Sequence, residues 1–267
     1  MRLGHALVLG ALIASGCQAA PKAGQECKDS ACAKPSEAAK PILLTASDGV
    51  KVYGSLYEAA KPKALILLFH QAGSSKDEYA TIAPRQRDAG YSALAIDQRS
   101  GGELFGTNET AEGLGREADY LEARPDLKAA LDWARQQKLP IVLWGSSYSS
   151  SLIFPLAAGD PDGVIALLAF SPGEYFDDKQ MIRAAAAKIS VPVFIASTNS
   201  PDEVSEADPI MTALPKNPSN VRYVPEHGVH GSSTLIAKRN PEGAEAGWRA
   251  VLTFLGNVIS DEVARPI

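Results

Sequence analysis

Short uninterrupted apolar runs alternate along most of this chain with longer stretches in which apolar residues recur every three or four positions. Runs without a polar break suit strands buried on both faces of a parallel sheet. Residues 64–69, 92–96, 141–144, 164–170, 191–197 and 221–224 read as such strands, with Pro192 at the start of its run, where a missing N–H is tolerated. Helical periodicity covers 78–89, 119–137, 152–158, 179–188 and 244–259. Pro125 should divide the second of these, and Trp248, Val251, Leu252 and Leu255 form one stripe of the last. Near the start, 42–45 and 52–57 flank Ser47-Asp48-Gly49, which predicts a hairpin. A hairpin followed by alternating strands and helices predicts an α/β fold: a mostly parallel central sheet with helices on both faces.

The periodic pattern begins at residue 42. Before it, Gln18 to Pro41 is rich in Ala, Lys, Pro and Ser with almost no large apolar residue, and it reads as a flexible tether. Earlier still, Arg2 precedes an apolar run from Ala6 to Ala14, far short of the about 20 residues that span a bilayer. The run ends in Ile13-Ala14-Ser15-Gly16-Cys17, which resembles the lipobox of bacterial lipoproteins, although Ala14 stands where leucine is most common. That resemblance implies a signal peptide over 1–16; the composition then gives a tether over 17–41 and, with no further break, one domain over 42–267. It also implies lipidation of Cys17, so the membrane is a partner, and Gln18 after the cysteine points to the outer membrane facing the periplasm. A plain secretory signal cut near Ala19-Ala20 is the alternative.

Charge and cysteine content narrow the picture further. A net charge of −5 with no basic patch argues against nucleic acid as a partner. Cys27 and Cys32, in an oxidising compartment, are expected to pair with each other or to stand as idle thiols. With no Cys-x-x-Cys and no histidine cluster beside them, no metal site is expected.

The chemistry-bearing stretch is Ile141 to Ser151, a buried strand that stops at Gly145, passes through serines and continues into a helical pattern. The pattern is Gly145-x-Ser147-x-Ser149. A nucleophile at such a strand-to-helix bend needs small residues two before and two after it, where strand and helix nearly touch. Ser147 meets this. Ser146 would put Trp144 at a crowded position, and Ser149 would be flanked by Ser147 and Ser151. A serine cap on a helix N-terminus is the bland alternative. A serine nucleophile needs a base, and the base needs a group that holds its tautomer. His70 directly follows a central strand; His227 and His230 lie in Glu226-His227-Gly228-Val229-His230-Gly231, after the last strand.

In order and placement these motifs resemble the α/β-hydrolase superfamily, in its dienelactone-hydrolase-like and esterase branch, over about residues 42–260. The resemblance implies an α/β-hydrolase fold with no large lid, since no long insertion separates 164–170 from 191–197. It implies a Ser-acid-His order: Ser147 as nucleophile, His230 as base in a Gly-x-His-Gly pattern with His227 as runner-up, and an acid after strand 191–197. Asp202 is the expected acid, Glu203 a real alternative and Asp208 a more distant one. His70-Gln71-Ala72-Gly73 resembles the His-Gly-x-Gly oxyanion loop, so the donors implied are the N–H groups of Tyr148 and Ala72, or of Gln71 in place of Ala72. His70 would brace that loop. Phe105, Tyr175 and Phe176 are candidate pocket residues. The implied activity is hydrolysis of a small-molecule or polymer-borne carboxylic ester without a cofactor. A serine peptidase or amidase on the same scaffold, or a non-catalytic binding lipoprotein, are the competing readings. The dienelactone hydrolases themselves use a cysteine nucleophile, so a serine points to the esterase side.

Overall fold

The computed structural model describes residues 39–264, with side chains to residue 260. Cys17, Cys27 and Cys32, the signal peptide and most of the tether lie outside the described residues. Eight strands form one sheet: β1 (Lys40–Thr45), β2 (Lys51–Tyr57), β3 (Leu65–Phe69), β4 (Ser92–Ile96), β5 (Ile141–Ser146), β6 (Val164–Phe170), β7 (Val193–Ala196) and β8 (Val221–Tyr223). Their spatial order is β1-β2-β4-β3-β5-β6-β7-β8. The hairpin partner β2 runs antiparallel to both β1 and β4, and every later pairing is parallel. The ladder already includes Lys40, opposite Leu56, so regular structure starts two residues before the apolar pattern does.

The helices are α1 (Ile82–Asp88), α2 (Glu109–Leu114), α3 (Arg124–Gln136), α4 (Tyr148–Gly159), α5 (Met181–Ala186), α6 (Pro201–Ala213) and α7 (Ala244–Ala264). Alternation along the central strands divides the core into two layers. Leu65, Leu67 and Phe69 of β3 face the layer containing Leu127 and Leu131 of α3, Ile153 and Phe154 of α4, and Ile210 of α6. Ile66 and Leu68 face the opposite layer, with Ile82 of α1 and Trp248, Val251 and Leu255 of α7. Because both faces are covered, every residue of β3 is buried, which is why the sequence shows an unbroken apolar run there. Each such side chain contributes about 1.5–3 kcal/mol by leaving water.

Local departures from the sequence pattern have local causes. The helical stretch expected over 78–89 is a 3₁₀ turn, Lys76–Tyr79, followed by α1. Glu78 there is turned inward and fully buried instead of lying on a solvent face. Pro125 does divide 119–137: a 3₁₀ turn over Tyr120–Ala123 precedes α3, and the proline occupies the first turn of α3, where no N–H is needed. The long loop after β4 contains α2, capped by the Asn108 side chain on Ala111 N–H. The helix α6 was not evident in the pattern, because Pro209 and a run of acidic residues mask its weak periodicity. Only α5 lies between β6 and β7, consistent with the absence of a long insertion there.

Candidate active site

The bend between β5 and α4 holds Ser147 at φ 57°, ψ −126°, a left-handed conformation that costs a non-glycine residue about 1–3 kcal/mol. Such strain persists only where surrounding packing imposes it. Gly145 supplies that packing: a Cβ there would overlap the Cα and N of Ser150, so the strand and helix meet with no room for a side chain. Ser149 is fully buried, but its hydroxyl donates to Phe69 O (2.7 Å) and accepts Ser146 N–H (2.9 Å). A serine is therefore tolerated at this crowded position because its one polar atom is satisfied. Ser146 is buried too, its hydroxyl donating to Glu78 Oε1 at 2.7 Å.

Two loops carry partners to Ser147. Nε2 of His230 lies 2.8 Å from Ser147 Oγ, and Nδ1 of His230 lies 2.8 Å from Glu203 Oε1. Gly231, at φ +66°, makes the first contact possible, since a Cβ there would overlap the Ser146 hydroxyl. The second oxygen of Glu203 accepts Thr198 N–H (2.9 Å) and the Ser171 hydroxyl (2.7 Å). Burial would raise the Glu203 pKa, but the His230 ring, Thr198 N–H and Ser171 hydroxyl outweigh it and bring it down to about 2. The carboxylate is thus ionised, so Nδ1 of His230 carries the proton and Nε2 is left to accept from Ser147.

The acid beside the imidazole is Glu203, which corrects the expectation of Asp202. Helix α6 starts at Pro201, with Ser200 as its cap, and one residue along a helix rotates a side chain by about 100°. At the third position Glu203 turns toward β6 and the histidine loop, while Asp202 at the second is exposed to solvent. Asp208 pairs instead with Arg222, and half-exposed His227 lies 3.3 Å from Glu242. Ser171, at the end of β6, joins the same network: it accepts Gly231 N–H at 2.9 Å while donating to Glu203. Its only trace in the sequence was the strand-ending Ser171-Pro172-Gly173.

Across the bend lies the loop after β3. His70 is fully buried; its Nε2 accepts Gln98 N–H (2.9 Å), so its Nδ1 carries the proton and donates to Gln71 O (2.8 Å). Burial lowers its pKa to about 4, and the ring is a neutral brace that holds the loop in shape. Gln71 N–H is taken by Glu78 Oε2 at 2.8 Å. The N–H groups of Ala72 and Tyr148 have no hydrogen-bond acceptor among the described residues. The phenol of Tyr148 points away from the bend, held by Gln98 (2.9 Å) and Ser100 (2.7 Å), and its ring stacks on exposed Tyr120 at 4.4 Å between centroids. Of the three aromatic pocket candidates, Phe176 is buried in the core and Phe105 lies beneath the Arg239 guanidinium. Tyr175 alone reaches Ser147, its hydroxyl donating to Ser171 O (2.7 Å) beside it. No group of three or more metal-ligating side chains occurs among the described residues.

Solved structures share this architecture. A dienelactone hydrolase from Anabaena variabilis superposes with TM-score 0.65 at 17% identity, covering 82% of this chain and 97% of its own. The fold is that of the α/β-hydrolases. A thermostable carboxyl esterase from Bacillus coagulans superposes with TM-score 0.63 at 14% identity, covering 83% of this chain and 99% of its own. Est1E from Butyrivibrio proteoclasticus, whose structure holds ferulic acid, gives 0.62 at 17% identity over 82% of this chain and 100% of that one. No protein-family model and no curated protein matches the sequence. Within the α/β-hydrolase fold the carboxyl ends of the strands are where chemistry is placed, and Ser147, Ser171, Glu203 and His230 all follow such ends here.

Proposed function

We propose that this protein is a serine hydrolase that cleaves carboxylic esters through an acyl-enzyme on Ser147. The observation that carries this reading is the hydrogen-bonded chain from Ser147 through His230 to Glu203, each link 2.8 Å, at a strained strand-to-helix bend. Ionised Glu203 fixes the imidazole with its Nδ1 proton inward. As Ser147 Oγ attacks the ester carbonyl carbon, its proton passes to Nε2. The carbonyl oxygen becomes an oxyanion in front of the unpartnered N–H groups of Tyr148 and Ala72; each such donor is worth about 3–4 kcal/mol in the transition state. The C–O bond to the alcohol then breaks as His230 returns the proton to the leaving oxygen. Water repeats the sequence, giving its proton to His230 and its oxygen to the acyl carbon, and the acid departs as Ser147 recovers its proton. The names of the structural neighbours, esterases among them, support an ester as substrate.

The surroundings favour an uncharged ester. Leu104, Tyr120 and Tyr175 are exposed: Leu104 N–H bonds Gly73 O in the loop after β3, Tyr120 stacks on Tyr148, and the Tyr175 hydroxyl bonds Ser171 O. Burial and the negative charges of Glu203 and Glu206 push the Tyr175 phenol up to about 12, and an anionic acyl group would meet the same unfavourable field. A fluorophosphonate probe tests the assignment: it should label Ser147 stoichiometrically, and p-nitrophenyl acetate should turn over, whereas an aminoacyl p-nitroanilide should not. A folded protein that takes no label and hydrolyses no ester would leave a binding role in place of the enzyme.

A further inference from the structure

Beneath the site lies a second carboxyl group that the hydrolytic sequence above does not use. Glu78 is 1% exposed, on the 3₁₀ turn that precedes α1. A buried carboxyl without a basic partner is costly unless hydrogen bonds satisfy it. Its two oxygens are divided between the two halves of the site. Oε2 accepts Gln71 N–H, the residue immediately before Ala72, at 2.8 Å. Oε1 accepts the hydroxyl of Ser146, the residue immediately before Ser147, at 2.7 Å. That same hydroxyl accepts Ser232 N–H, two residues beyond His230, at 2.8 Å. One side chain therefore ties the loops of the oxyanion donor, the nucleophile and the base together through two hydrogen bonds and a relay.

Resting on the hydrolase reading above, we propose that Glu78 is a positioning residue whose ionised carboxylate sets the spacing between the two oxyanion donors and supplies negative potential to the imidazolium that His230 becomes. The hydrogen bonds to Glu78 are all made by donors, so a carboxylate satisfies them together, whereas a carboxylic acid must present its own O–H to one of them. Rate should accordingly depend on the ionisation of this group. Burial drives the Glu78 carboxyl up to about 7, against the pull of the Gln71 N–H, the Ser146 and Ser74 hydroxyls and the charge of His230. The titratable groups facing it are His230, from the loop after β8, and Tyr79 on its own turn, whose buried phenol is held neutral. Switching therefore falls near neutral pH, where the carboxylate that assists the reaction is also one the fold would rather protonate.

The test is Glu78→Gln, which keeps the shape and removes the charge. With p-nitrophenyl acetate at pH 8, kcat should fall about 10- to 100-fold with KM changed less than threefold, an effect of the size seen when a catalytic geometry loosens. The thermal stability should respond in the opposite sense. Because the folded pKa lies above the ordinary carboxyl value, the contribution of Glu78 to stability is fullest below about pH 4.5 and is lost as pH rises through about 7. Between pH 5 and pH 8 the wild type should thus lose more Tm than Glu78→Gln does, which marks the titration of this group, while the loss in kcat against a nearly unmoved KM marks its positioning role. If the variant fails to fold, infrared titration of the wild type decides: a protonated carboxyl band that disappears near neutrality, in step with faster fluorophosphonate labelling, supports the proposal, and no such band overturns it. A wild type that labels and turns over ester, with Glu78→Gln matching its kcat and pH profile, overturns the role of Glu78 alone; a wild type that does neither overturns the hydrolase reading itself.

Discussion

Two glutamates flank the bend at Ser147, and their surroundings send them in opposite directions. Glu203 is partly open to solvent and touches an imidazole, a hydroxyl and a backbone N–H; it settles at about 2. Glu78 is sealed in, and its hydrogen-bond partners are all neutral; it settles at about 7. Both make hydrogen bonds of similar length, so bond count does not separate them. What separates them is a chargeable partner in contact on one side and complete desolvation on the other. Paired carboxyl groups with divergent pKa values mark a division of labour in many active sites. Here one group is committed to its charge over the whole neutral range, and the other can gain or lose it.

The sharpest way to break this comparison is to remove the hydroxyl both groups serve. Ser147→Ala should lower kcat/KM for p-nitrophenyl esters by about 10⁴-fold or more, while leaving the fold intact by circular dichroism. Retained turnover would move the nucleophile to Ser149 or Ser146 and empty the comparison of meaning. Glu203→Gln should come next, with kcat down about 10³- to 10⁴-fold, because an amide that donates to Nδ1 stabilises the wrong imidazole tautomer. A loss of less than tenfold would mean that another group holds the ring. In stability the two groups also diverge. Since Glu203 is depressed from 4.5 to about 2, its contribution is complete above pH 4.5 and is lost as the pH falls toward 2. Urea denaturation in that window should show a stability decrease of order 3 kcal/mol that Glu203→Gln lacks. The smallest effect belongs to Asp202→Asn, on the exposed side of α6, which should change kcat/KM by less than twofold; a large loss would return the acid's role to position 202.

The contrast between positions 202 and 203 also marks how far the chain could be read unaided. The bend at Ser147 and the turn at His230 were legible because close approach of two backbones excludes side chains, and glycines at 145 and 231 record that exclusion directly. The sheet was legible because residues covered on both faces leave no polar break. The choice between adjacent acids was not, since it turns on a rotation of about 100° around a helix whose own periodicity is faint. Glu78 was not legible either. A charged residue at the head of an amphipathic stretch reads as solvent-facing, and only the fold reveals that the turn carrying it is rolled inward. Ser171 is similar: a serine beside Pro-Gly signals a chain reversal, and nothing local tells that its hydroxyl bridges Glu203 to the loop after His230.

The locked ring at position 70 has a consequence for any reagent that acylates imidazole. Both of its nitrogens are engaged and the side chain is inaccessible, while His227 and His230 each leave more than two-fifths of the side chain in contact with water. Diethylpyrocarbonate therefore meets two susceptible histidines, not three, among the described residues, and the one whose carbethoxylation tracks inactivation can be identified by peptide mapping without altering a single codon.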